Sequence, residues 1–433
     1  MPPFGGERRT ATRTMATAFT LLFVLFLLLM IGLKFWLASR QIRHVARHAQ
    51  SVPTQFAERV SLEAHRKAAA YTIARQRLAM LEAAVGVALL LALTLLGGVQ
   101  AVAATVAEWL GNALVAQVAI VASVALILGA ADLPFEWYRQ FRIEEKFGFN
   151  RMTPRLFVID MLKSVLVAAA LGLPLLALVL WLMSAAGSYW WLYAWAVWVS
   201  FNALVLVLYP TVIAPLFNKF VPLADGDLAG RISALLTRTG FSSRGVFVMD
   251  GSRRSAHGNA YFTGLGRAKR IVFFDTLLQR LQPSEIEAVL AHELGHFKRR
   301  HIAKRLVFSF FSSLFFLGLL GWLADRSWFY QGLGVTPALD GSHSGVALVL
   351  FMLVVPVFTF VLAPIASRIS RKHEFEADAF AVAHTSGDDL ASALVKLYED
   401  NAATLTPDPV HSAFYDSHPP AAIRIARLRA AAA

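Results

Sequence analysis

Long apolar stretches divide this chain into segments that are each long enough to cross a lipid bilayer. A helix needs roughly 20 apolar residues to span the hydrocarbon core. Seven stretches approach or exceed this length, at residues 18–33, 81–102, 113–133, 165–183, 190–213, 306–323 and 346–365. The first is lengthened by residues 34–37, in which Lys34 can extend its amine to the membrane surface. The pattern predicts a mainly α-helical, polytopic membrane protein with about seven transmembrane helices.

Composition agrees with this assignment. The 433 residues are 57% hydrophobic and their mean hydropathy is +0.55, above the apolar share of an ordinary soluble domain. Basic residues and no small-residue cleavage site follow the first stretch, which therefore reads as a retained anchor rather than a signal peptide. The chain contains no cysteine, so disulfides are excluded.

A net charge of +13 raises the question of a nucleic-acid partner. Most of the basic residues outside the histidine-bearing segment lie beside the apolar stretches, so the expected partner is the bilayer and not a nucleic acid. Two groups stand out: Arg40, Arg43, Arg47, Arg66, Lys67, Arg75 and Arg77, and then Arg139, Arg142, Lys146, Arg151 and Arg155. The positive-inside rule places both groups in the cytoplasm and the amino terminus outside, although Arg8, Arg9 and Arg13 favour the reverse.

Polar segments divide the chain into two regions. Residues 1–216 form an N-terminal membrane region with about five transmembrane helices. Residues 217–433 carry the candidate chemistry and are interrupted by two further helices, at 306–323 and 346–365. The region that carries the candidate chemistry is therefore split, and in this topology it faces the cytoplasm. Because its parts lie close to the apolar stretches, the molecule that it acts on is expected to be a membrane-associated chain.

The candidate chemistry centres on His292, Glu293 and His296. On a helix, positions i and i+4 share one face, so both imidazoles can reach one metal ion. A catalytic zinc ion takes three protein ligands and keeps one position for a water of lowered pKa, whose proton Glu293 would accept. The alternative is a surface helix with two histidines that bind nothing.

The helix that carries these residues is predicted to begin near Pro283, which suits the first helical position. Gln282 and Ser284 are rival N-cap residues. Either choice places both histidines inside the helix.

A third ligand is expected from the segment 373–381. Glu374 and Asp378 share a helix face, and we assign Glu374 to zinc and Asp378 to a hydrogen bond with a ligating histidine. Glu376 lies on a different face. His301 and His373 are alternative ligands, but a position at a polar surface is favoured for both.

Two short β-strands are predicted upstream of the histidines, at 245–250 and 270–275. An edge strand here could pair with an extended substrate through main-chain hydrogen bonds. An ordinary small sheet fits the pattern equally well.

These segments together resemble an integral-membrane zinc metalloprotease of the type I CAAX prenyl protease family. The resemblance extends over nearly the whole chain and includes residues 144–150, 214–220, 259–261, 292–296 and 374–378. It implies a seven-helix barrel around a water-filled chamber, closed on the cytoplasmic side by a gluzincin-like α+β domain. It also implies one Zn²⁺ per chain, with His292, His296 and Glu374 as ligands and Glu293 as general base.

The resemblance adds four residues to the expected site. It places His418 and Arg424 beside the zinc, where they stabilise the developing oxyanion and hold the substrate. It places Asn259 and Ala260 on a substrate-binding edge strand. From the residues alone, His418 reads as a loop histidine.

The expected function is zinc-dependent cleavage of peptide bonds near the C-terminus of prenylated CAAX-type proteins or peptides. An alternative is a quality-control peptidase for membrane proteins without a prenyl requirement. A non-enzymatic seven-span receptor or transporter is a third reading, which the scarcity of charge within the spans disfavours. The Ala- and Arg-rich composition favours a bacterial inner membrane; in a eukaryote the location would be the endoplasmic reticulum membrane.

Overall fold

Among the residues that the structure describes, seven helices are long and apolar enough to cross a membrane, so the predicted number is confirmed. The computed structural model describes residues 4–111, 113–224, 226–241, 245–263, 270–337 and 343–432. The helices of the first half are α1 (Phe4–His48), α2 (Leu62–Leu93), α3 (Gly98–Leu110), α4 (Leu114–Tyr138), α5 (Pro154–Ala185) and α6 (Trp190–Leu208), and all of them except α3 belong to candidate membrane spans. A π-helical turn, Arg139–Glu144, extends α4, and another, Tyr209–Ile213, joins α6 to α7 (Ala214–Phe217).

The second half alternates between soluble and membrane segments. Its helices are α8 (Asp227–Arg238), α9 (Asp275–Leu278), α10 (Pro283–Lys298), α11 (His301–Ala324), α12 (Ser327–Gln331), α13 (Ser344–Thr359), α14 (Ala363–His384), α15 (Gly387–Asp400), α16 (Pro409–Tyr415) and α17 (Ala421–Ala432). Its strands are β1 (Phe220–Pro222), β2 (Val246–Met249), β3 (Ala260–Thr263) and β4 (Arg270–Phe274).

The second span differs from the prediction. The apolar stretch 81–102 is not one helix, because α2 ends at Leu93 and the chain turns before α3 begins at Gly98. Gly97 adopts a left-handed conformation with φ of 82°, which favours glycine. A Cβ on Gly98 would lie 2.6 Å from the Ala92 carbonyl oxygen. This glycine pair, rather than hydropathy, sets the end of the span.

The seven spans form a ring of neighbouring contacts, and α13 also contacts α4 and α5. Each contacts the next in the order α1, α2, α4, α5, α6, α11, α13 and back to α1. At the end of α11 remote from His301, side chains from all of them pack into one apolar core. This core includes Phe23, Leu93, Ile120, Leu182, Ala194, Leu320 and Ala347.

The spans differ in how many of their residues are buried. Of the 18 consecutive residues with the highest mean hydropathy in each span, 6% are buried in the fifth span and 39% in the seventh. A cavity of about 580 Å³ lies between α1, α2, α13 and α16, and its lining includes Met30, Lys34, Met80, Leu353 and Tyr415.

The other end of the ring carries a second core, built from the soluble segments. A four-stranded sheet of order β1-β2-β4-β3 packs with α8, α10, α15 and α17. Strands β2 and β4 are parallel, whereas β1 and β3 pair antiparallel at the two edges. The two predicted strands are confirmed as β2 and β4.

Polar contacts connect this soluble domain to the membrane helices. Arg40 of α1 binds both carboxylate oxygens of Asp408 just before α16, at 3.0 and 3.2 Å. The Tyr71 hydroxyl of α2 donates to Glu144 at 2.6 Å, and the other Glu144 oxygen lies 3.3 Å from His257 Nε2. Segments on both sides of the last two spans are thus fixed to the membrane helices α1 and α2.

Candidate metal centre

Helix α10 begins at the residue whose side chain and neighbours best satisfy the free backbone N–H groups of the first turn. Gln282 is the N-cap and forms a reciprocal capping box with Glu285, while Pro283 occupies the first helical position. Burial raises the pKa of the Glu285 carboxyl, but hydrogen bonds from Lys396, the Gln282 backbone and Ser392 outweigh this and hold the pKa below its ordinary value. Gln282, and not Ser284, therefore caps the helix.

Three potential ligands converge between α10 and α14. His292 Nε2 and His296 Nε2 lie 3.2 Å apart, one turn from each other on α10. Glu374 of α14 places one carboxylate oxygen 3.2 Å from His296 Nε2 and the other 3.5 Å from His292 Nε2. One ligand atom from each residue lies within 4.8 Å of the other two, so a single ion could contact all three.

The chemistry of this cluster fits a divalent metal. Two imidazoles and one glutamate form a donor set that catalytic zinc sites use. Glu374 Oε2 is buried without a hydrogen bond of acceptable geometry, although His418 Nδ1 lies 2.7 Å from it. Burial lowers the pKa of His292, yet hydrogen bonds with Asp378 and Glu374 outweigh this and raise the pKa to about 9. The cluster therefore favours positive charge.

Gly295 allows the two helices to approach closely enough for this convergence. A Cβ at this position would lie 2.9 Å from Ala377 Cα and 3.0 Å from both the Ala377 carbonyl oxygen and Phe380 Cβ. The nearest of these neighbours is a backbone atom, so a side chain here would force α14 away from α10. The predictions from sequence did not include Gly295, because its role depends on a long-range contact.

Asp378 and Arg424 form a buried pair behind His292. Asp378 Oδ1 lies 2.8 Å from His292 Nδ1. Arg424 binds the same carboxylate through Nη2 at 2.6 Å and through Nε at 2.9 Å. Its Nη1 lies 3.4 Å from Glu374 Oε2. Both side chains are at least nine-tenths buried, so the guanidinium holds the two acidic groups of the site.

The remaining expected residues lie around the cluster. Glu293 is half-buried on α10 between the two histidines. His418 lies in the loop after α16, and 60% of its side chain is exposed. Asn259 and Ala260 lie at the start of β3, the edge strand that pairs with β4 and contacts α10.

The expected position of His301 was wrong. It is not at a polar surface but is 2% exposed, and its Nε2 lies 2.9 Å from Glu376 Oε2. The physical reason is a sharp turn between α10 and α11, where Arg300 adopts a left-handed conformation with φ of 57°. This turn brings His301 back against the site. His373 is half-buried, with its ring stacked on His301 at a centroid distance of 4.0 Å.

Comparison with known proteins agrees with this geometry. Residues 41–219 match the model of the CAAX prenyl protease N-terminal domain with five membrane helices, and residues 222–432 match that of peptidase family M48. The chain is 40% identical over 290 residues to a CAAX prenyl protease 1 homolog of Dictyostelium discoideum. The aligned residues make up 66% of this chain and 67% of that protein. The chain belongs to peptidase family M48.

Two further matches, one to a sequence and one to a solved structure, support this family assignment. CAAX prenyl protease 1 of Saccharomyces cerevisiae is 38% identical over 318 residues, which cover 69% of this chain and 68% of that protein. The crystal structure of S. mikatae Ste24p superposes with a TM-score of 0.88 at 30% identity, and the match covers 95% of this chain and 99% of that one. This M48 protein is therefore a multi-pass membrane metallopeptidase, as its sequence predicted.

We expect Gly295→Ala to impair metal binding strongly, because the added methyl group meets the backbone of α14 and separates Glu374 from the histidines. Isothermal titration of the purified protein with Zn²⁺ measures the effect. Gly230→Ala on α8 is the matched control, since its new Cβ meets nothing within 4 Å. Equal zinc affinity in both variants would contradict the close-packing argument.

We expect Asp378→Ala to weaken zinc affinity by roughly ten- to a hundredfold, because His292 loses the carboxylate that orients its ring. Competition with a chromophoric chelator gives the affinity. Asp388→Ala, an exposed position on α15, should leave it unchanged. An unaltered affinity in the Asp378 variant would remove this residue from the support of the site.

Proposed function

We propose that this protein is a zinc-dependent membrane endopeptidase that cleaves peptide bonds near the C-terminus of CAAX-type proteins. The observation that carries the proposal is the convergence of His292, His296 and Glu374 around one point, with Glu293 on the same helical turn. Relatives named CAAX prenyl proteases supply the substrate class.

In this proposal, His292, His296 and Glu374 hold one Zn²⁺ per chain. When bound, zinc lowers the pKa of a coordinated water and polarises a substrate carbonyl. Asp378 accepts a hydrogen bond from His292 Nδ1, which leaves Nε2 free to act as a ligand. Arg424 keeps Asp378 in place.

Glu293 is the proposed general base. A carboxylate next to the first histidine ligand can take a proton from the attacking water and return it to the leaving amine. Because Glu293 is half-buried, it remains accessible to a water molecule at the site.

His418 is the proposed donor to the developing oxyanion. Its side chain is largely exposed and its Nδ1 lies close to Glu374, so it can reach both the site and a bound substrate. The resemblance had also implied substrate contact for Arg424. Since two of its nitrogens bind Asp378, we assign Arg424 instead to holding the acidic residues.

Strand β3 is the proposed docking edge for the substrate backbone. The Phe274 amide donates to the Asn259 carbonyl, so these residues form a hydrogen-bonded pair in the β3–β4 ladder. Alternation then turns the backbone groups of Ala260 toward the free edge. The Asn259 side chain accepts from the Ala260 amide at 2.8 Å, so this side chain must turn away before an extended peptide can accept from the same amide.

We propose that the site faces the cytoplasm, in a bacterial inner membrane or, in a eukaryote, the endoplasmic reticulum membrane. The basic residues that support this orientation flank α1, α2, α4 and α5 at the ends nearest the metal cluster.

Glu293→Gln should retain zinc and lose hydrolysis by about 100- to 10,000-fold, because the amide cannot accept the proton. His292→Ala should lose both zinc and activity. Metal analysis together with a peptide cleavage assay measures the two properties, and Glu399→Gln at an exposed position is the control. Normal turnover by Glu293→Gln would contradict the proposed mechanism.

A matched pair of peptides tests the substrate. We expect the purified protein to remove three C-terminal residues from a farnesylated CAAX peptide and to leave the unmodified peptide intact, as followed by mass spectrometry. Equal cleavage of both would instead favour a membrane-protein quality-control peptidase. The Glu293→Gln variant provides the blank.

A further inference from the structure

Both histidines of the metal cluster have their second ring nitrogen in contact with another side chain. His292 Nδ1 faces Asp378, which is itself bound by Arg424. His296 Nδ1 faces the Nδ1 atom of His301, at 3.0 Å. One ligand is therefore backed by a carboxylate and the other by an imidazole.

His301 is held in a single orientation by its surroundings. It is 2% exposed, and its Nε2 lies 2.9 Å from Glu376 Oε2. Its ring is stacked on His373 with an interplanar angle of 13° and a centroid distance of 4.0 Å. The ring is therefore fixed on its face by packing and at its edge by a carboxylate.

His296, His301 and Glu376 form a chain of hydrogen bonds. Only one placement of the ring protons satisfies every link in it. For His296 Nε2 to bind a metal ion its lone pair must point at that ion, so the proton of the neutral ring lies on Nδ1. That N–H donates to His301 Nδ1, which must then be the unprotonated nitrogen. The proton of His301 lies on Nε2 and donates to the Glu376 carboxylate.

We propose that His301 is a positioning residue that fixes the tautomer and ring orientation of His296 and links it to Glu376. This assignment rests on the metal site of the proposed function and adds to it a support for the second histidine. Partners of this kind typically contribute ten- to a hundredfold in metal affinity.

The arrangement also explains how α14 serves both histidines. Glu374 and Glu376 leave the helix in different directions, so one reaches the metal cluster and the other reaches His301. Because His301 is the first residue of α11, the orientation of His296 is tied to the start of a membrane span.

The test is zinc affinity, measured on the full-length protein in detergent by competition with a chromophoric chelator. His301→Leu keeps the bulk of the ring but not its acceptor, and we expect it to weaken zinc binding by roughly ten- to a hundredfold. His301→Asn places an oxygen near the Nδ1 position and should restore most of the affinity. His373→Phe preserves the stacking face and should bind zinc like the wild type.

A spectroscopic readout separates positioning from simple packing. The visible spectrum of the Co²⁺-loaded protein reports the ligand field, so His301→Leu should change its band positions while His301→Asn should not. Wild-type zinc affinity and an unchanged Co²⁺ spectrum in His301→Leu would overturn the assignment.

A second variant keeps the test decisive if His301→Leu does not fold. Glu376 is 32% exposed, so Glu376→Ala is expected to fold, and it should still lower zinc affinity. Unchanged affinity in that variant would overturn the link to Glu376. Failure of the wild type to bind zinc would refute the proposed function instead, so the two failures are distinguishable.

Discussion

The close contact between α10 and α14 is the constraint on which the site depends. Neither helix carries a complete set of ligands, and the chain between them crosses the membrane twice. Gly295 lies between the two histidines, and its missing side chain lets the α14 backbone approach at Ala377. At this separation Glu374 reaches both imidazoles, and Asp378 reaches the back of one of them. A zinc site of this type is therefore as much a matter of backbone packing as of ligand identity.

The charges of the buried side chains also indicate that the cluster binds a cation. Glu374 and Asp378 are both buried, and Arg424 is the permanent cation that contacts them. Buried charges are costly unless they are compensated, so one negative charge remains to be matched. The raised pKa of His292 shows that a proton is favoured there when no metal is bound. A metal ion would meet the same need, and this is why the cluster fits a cation.

The sequence predicted the features that depend on local pattern. The number of spans follows from the length of each apolar stretch, and the shared face of His292 and His296 follows from helical periodicity. Features that depend on a left-handed backbone conformation, or on contacts between residues far apart in the sequence, were not predictable. The end of α2 is set by the conformation of Gly97, and the burial of His301 by the left-handed Arg300. The resemblance had brought Arg424 to the site, but its pairing with Asp378, 46 residues away, required the fold.

Spans α11 and α13 join the segments that carry the histidines and Glu374, and the core of the soluble segments contains residues from both α10 and α14. The most direct test of the account is zinc K-edge X-ray absorption of the purified, zinc-loaded protein. The account predicts two imidazole nitrogens and one carboxylate oxygen at about 2.0–2.2 Å, with a light atom in the remaining position. A first coordination shell without imidazole scattering, or one with a single imidazole, would contradict it.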